Sequence, residues 1–184
     1  DARAARGPMT ARHRSFTLTA PRNPPSPRDR IVPAITACAD AFLHPPIANL
    51  GHRGIDKAGK LVPTWFRRTD DPRRDLPQAA LLMEKAGTGG ALFRNLYRDF
   101  LAECADLLDD SHLRTGLGLY TEAADRWTEV AALIKEAGES GDAECLARTG
   151  TLLHELARVE REAMEALTRV GAGGRPGRRG VRGG

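Results

Sequence analysis

The chain has no apolar run approaching the roughly 20 residues that a membrane-spanning helix requires. It also has no apolar segment behind a basic start of the kind a secretory signal needs. The expectation is a soluble, cytoplasmic protein with no membrane partner. Cysteine is scarce: Cys38, Cys104 and Cys145 are an odd number at wide spacings, without a CxxC pair or a histidine at zinc-ligand spacing. A disulfide framework and a structural zinc are both disfavoured, and no cofactor is implied. No repeat of 20 to 50 residues is present, which argues against a solenoid or propeller.

Basic charge is missing from the middle of the chain. Residues 1–30 hold seven Arg against two Asp, and residues 171–184 hold four Arg and no acid. The stretch between them carries 17 Lys and Arg against 22 Asp and Glu, a net −5. Specific nucleic-acid binding needs Lys and Arg clustered on a folded surface, so an acidic body argues against it. The closing GAGGRPGRRGVRGG reads as a solvated, disordered tail.

What is present is a globular middle. A chain of 184 residues, 41% hydrophobic and 28% charged, suits one ordinary domain. A domain of that size buries roughly 70% of its unfolded surface. Residues 1–28 read as an irregular or strand remnant, SFTLTA, running into the proline-rich linker PRNPPSPR. Asp29 is a plausible N-cap for a helix that HPP ends at His44, because a residue before proline leaves the α region. A weaker helix over 47–66 contains Gly51, Gly54 and Gly59, whose presence suggests close packing against a neighbour. LPQAALLMEKA forms the next helix.

Three long helices follow. From Gly90 or Ala91 to about Leu108, nine residues from Leu92 to Leu108 recur at three- and four-residue intervals and predict a broad buried face. A second stripe joins Leu113, Leu117, Tyr120, Ala124, Trp127, Ala131 and Ile134, and a third joins Leu146, Leu153, Leu156, Met164 and Leu167. Short polar turns between them predict antiparallel neighbours. The expected fold is all-α, about six helices in an irregular bundle over residues 29–170, with a disordered tail from 171 to 184.

The run GTGG, Gly87 to Gly90, joins two helices. Left-handed capping at Gly87 and N-capping by Thr88 follow from local chemistry. The same residues, Gly87, Thr88, Gly89 and Gly90, could instead receive an anion at the helix start, with Arg94 one turn inside to clasp it. Without a preceding strand or a GK[ST] ending, the run is not a nucleotide-binding loop. The three cysteines fall on or near apolar helix sides, where core packing is expected. His13, His44, His112 and His154 offer no clear catalytic base; His154 has carboxylates as neighbours on its own helix.

The order HPPIANLGHRGI (44–55), Trp65, EKAGTGGALFRNLYRDFLAECADLL (84–108) and RWTEVAALI (126–134) resembles a known arrangement. It is similar to the helical domain that follows the papain-like amino-terminal domain of the butirosin biosynthesis protein H family. The resemblance covers about residues 29–168 and implies that residues 1–28 are the tail of a peptidase-like domain whose Cys and His are missing here. It also implies that Asp1 matches the acidic residue near the end of that catalytic domain. The function it implies is acyl transfer in antibiotic or specialised-metabolite biosynthesis. This domain would then be inactive alone and would form a cleft wall or a docking surface for an acyl carrier protein. The alternative is a non-enzymatic helical interaction module, or a subunit that pairs with a separately encoded catalytic domain.

Overall fold

The structure is a computed structural model and describes residues 17–20, 22–86 and 89–172. The described residues form an all-α bundle of six helices: α1 (Pro27–Leu43), α2 (Gly51–Leu61), α3 (Pro72–Lys85), α4 (Ala91–Leu107), α5 (Ser111–Ser140) and α6 (Ala143–Leu167). A 3-10 turn, Val62–Arg67, extends α2. None of these helices is long and apolar enough to cross a membrane.

Side-chain caps fix most helix starts. Ser26, not Asp29, caps α1: its hydroxyl accepts from the Asp29 amide at 3.3 Å and donates to the Asp29 carboxylate at 2.7 Å. Pro27 sits at the first helical position, where its missing N–H and fixed φ suit the start. The helix therefore begins inside the segment that composition marked as linker. Asp71, Asp110 and Asp142 cap α3, α5 and α6 in the same way. The expected helix over 47–66 is shorter and divided. Gly51 opens it with φ +60°, a conformation that a side chain would strain. Pro63 cannot donate to the Gly59 carbonyl, so the α pattern gives way to the 3-10 turn.

The long helices α5 and α6 pack along each other as the central pair, joined by a two-residue turn in which Gly141 takes φ +78°. Helices α3 and α4 lie against α5, while α1, α2 and the 3-10 turn lie against α6. The predicted stripes of α5 and α6 are buried, apart from a half-buried Leu117. Two apolar clusters result. One gathers Val62, Trp127, Ile134, Leu146 and Leu156 beneath α2 and α3. The other gathers Ile35, Leu101, Leu113, Met164 and Leu167 between α1, α4 and the far ends of α5 and α6.

Helix α4 departs from its predicted broad burial. Leu101, Cys104 and Leu108 are enclosed, but Phe93, Leu96 and Leu107 remain 51%, 55% and 53% exposed. Their apolar positions wrap farther around the helix than α5, its main neighbour, can cover. The glycine-based close packing of α2 has a definite partner. A Cβ on Gly59 would stand 3.0 Å from the Gly150 carbonyl oxygen, and one on Gly150 would stand 2.8 Å from that of Gly59. Helices α2 and α6 therefore meet backbone to backbone.

Candidate functional site

Of the corner residues, Gly87 and Thr88 lie outside the described residues, as does Asp1. Gly89 has φ +98°, and Gly90 occupies the N-cap position of α4 without a side-chain cap. Arg94 does not stand open to solvent. Its Nε and one terminal nitrogen donate to the two carboxylate oxygens of Glu160 at 2.9 and 3.0 Å, and the other terminal nitrogen donates to the Gly89 carbonyl. Glu160 has no exposed surface, and the Trp127 indole N–H also donates to it. The guanidinium lies over the Trp127 ring, 4.6 Å from its centroid. The bidentate edge expected to clasp an external anion is thus occupied by a carboxylate of the same chain. Glu160 sits four residues after Leu156 and four before Met164, on the α6 stripe; a charged residue at a core position was the signal for this partner.

The thiols divide. Cys104 and Cys145 are buried, and burial pushes both up from the usual thiol value, which leaves little thiolate. Cys38 is exposed, contrary to the packing expected of it. Among the histidines, His13 lies outside the described residues and exposed His44 bonds Asp40 on its own helix. His154 finds its carboxylate on α2 instead of on α6: its Nδ1 is 2.8 Å from Asp56 Oδ1.

That pair lies in a groove of about 530 Å³ between α2 and α6. Helix α2 contributes His52, Arg53, Asp56, Lys57 and Lys60, at spacings of one and two helical turns; α6 contributes His154, Ala157, Arg158 and Arg161 from its facing side. Five cations thus surround one carboxylate, on a body whose net charge is negative. Asp56 is already engaged: Lys60 at 2.6 Å and His154 hold its carboxyl below the usual carboxylate range. Lys57 donates to Asn49 at 2.8 Å. Arg158 reaches Glu162 at 3.0 Å, Arg161 stands 3.7 Å from Glu165, and Arg53 forms no ion pair among the described residues. His52 Nδ1 is buried without a hydrogen-bond partner among the described residues, and burial, with Arg53 and Arg161 beside it, lowers its pKa.

The groove pairs a histidine with a carboxylate, as nucleophilic sites do, but among the described residues no Ser, Thr or Cys lines it. Its lining is predominantly cationic, which suits an anion. A second hollow, about 500 Å³, lies between the starts of α1 and α5; there the Asp29 carboxylate accepts from the capping Ser26 hydroxyl and Asp110 caps α5.

The family model described as Domain of unknown function (DUF4872) matches residues 1–167. The chain belongs to this family. No curated protein and no solved structure matches it. The DUF4872 match ends at the last residue of α6, so the groove and the Arg94–Glu160 pair both fall within it. It also takes in residues 1–28, the segment that sequence reading assigned to a preceding domain.

Proposed function

We propose that this chain is a recognition domain of a peptidase-like acyltransferase of specialised metabolism, in which the α2/α6 groove docks an acidic acyl carrier protein. The observation that carries the proposal is the groove itself, where five cations project from two helices of an otherwise acidic body. Complementary charge of this kind speeds and orients encounter with an acidic partner. The resemblance of the Gly-rich segments to the butirosin biosynthesis protein H family supplies the reaction context, and acyl transfer itself belongs to the catalytic domain. Calorimetric titration with a phosphopantetheine-bearing carrier protein tests the reading. Saturable binding that weakens steeply with salt, and fails when Arg53 and Arg158 are both changed to Glu, supports it; absence of binding at low salt rejects it.

A second reading, pairing with a separately encoded catalytic domain, is favoured by the exposed α4 residues Phe93, Leu96 and Leu107. Co-expression with such a domain, followed by loss of association in Leu96→Glu, tests that alternative.

A further inference from the structure

We infer that the α2/α6 groove seats a phosphate ester, with its phosphoryl oxygens held from both walls by Arg53 and Arg161 and its inner side facing His52. The inference rests on the docking reading only in placing the ligand in the same groove.

Three features of the groove select this chemistry. Its cations belong to two different helices, so a tetrahedral group with three acceptor oxygens can be met from both walls, and as a dianion it carries more charge to those walls than a carboxylate does. Its single lining acid, Asp56, is turned to Lys60 and His154, Arg53 forms no ion pair among the described residues, and Arg161 has only the 3.7 Å contact to Glu165 to give up. Finally, His52 lines the groove and has a buried Nδ1 with no partner among the described residues. The charged groups around that ring are Arg53 and Asp56 on its own helix and Arg161 and Glu165 on α6; Phe42 of α1 packs beside it without charge. A bound dianion offsets the two arginines and raises the ring's proton affinity. The volume of about 530 Å³ falls within the about 300–1,000 Å³ of small-ligand pockets, leaving space for the rest of the ester.

The test is an NMR titration of the full chain with methyl phosphate at near-neutral pH, in parallel with acetate at matched ionic strength. Saturable shifts at His52, Arg53 and Arg161 are expected, with acetate binding about tenfold more weakly or less. Arg161→Gln and Arg53→Gln should each weaken methyl phosphate about tenfold without moving the melting temperature, while Lys135→Gln on α5 changes nothing. The His52 ring should titrate at higher pH when loaded. Equal binding of acetate and methyl phosphate, or no saturable response, overturns the inference.

Carrier protein with and without its phosphopantetheine arm completes the experiment. If both forms bind while methyl phosphate does not, docking stands and the phosphate site is overturned. If methyl phosphate binds and neither carrier form does, the phosphate site stands for a free phosphorylated small molecule and carrier docking is rejected.

Discussion

Arg94 holds both carboxylate oxygens of Glu160 across sixty-six residues of sequence, and Glu160 has no solvent exposure. The pair stands where the two apolar clusters meet: Trp127, which also donates to Glu160, belongs to one, and Met164, one turn along α6, belongs to the other. An exposed arginine would cost less than about 1 kcal/mol to remove. Here Arg94→Ala strands a buried carboxylate, and a loss of about 3–5 kcal/mol in denaturant unfolding is expected. Arg94→Met with Glu160→Leu should recover most of it, short of the about 1–3 kcal/mol for the orphaned Trp127 N–H. Equal stability of Arg94→Ala and wild type would refute the buried pair.

Two leucines on α4 provide an internal comparison. Leu101 is fully enclosed and Leu96 is 55% exposed. Leu101→Ala should destabilise by about 2–5 kcal/mol, whereas Leu96→Ala should stay within about 0.5 kcal/mol. Similar losses at both positions would mean that the outer face of α4 is covered.

Thiol labelling separates the cysteines. With native protein, a maleimide should modify Cys38 quickly, and Cys104 and Cys145 only after denaturation. Rapid native labelling of all three would contradict their burial, and no native labelling would contradict the exposure of Cys38.

His52 predicts a pH dependence with a definite sign. Burial first, and then Arg53 and Arg161, put its folded pKa below the unfolded value near 6.5. The unfolded chain therefore binds more protons between the two values. The contribution is fully present above about 6.5 and is lost as pH falls from there toward the folded value. The melting temperature should decline over that interval in wild type and less so in His52→Gln. Parallel curves would assign the decline to other groups.

The helices of the bundle's centre were legible because α5 and α6 repeat their apolar positions strictly enough to announce a buried stripe. The start of α1 was hidden by its neighbours: Ser26 and Pro27 stand in a proline-rich run that suggests extended chain, and only the reciprocal bonds between Ser26 and Asp29 turn it into a helix start. The groove was not legible at all. His52, Asp56 and Lys60 on one helix, and His154, Arg158 and Arg161 on another, each look like an ordinary solvated face. What joins them is the crossing of α2 on α6, about a hundred residues apart in sequence, as His154 and Asp56 show. The GTGG corner attracted a site reading because a glycine-rich helix start with an arginine one turn inside suits an anion; the partner of Arg94 lay on a distant helix.

The close approach of Gly59 to Gly150 sets a ruler for the groove. No side chain spaces the two helices at that point, so the distance between the cationic walls is fixed by main-chain atoms, which cannot change rotamer to admit a larger guest. A methyl at Gly59 would press on the Gly150 carbonyl and the His154 ring, and one at Gly150 on the Gly59 carbonyl and the Pro63 ring. On the proposed reading of the groove, the size of guest it admits is set by two positions outside its lining.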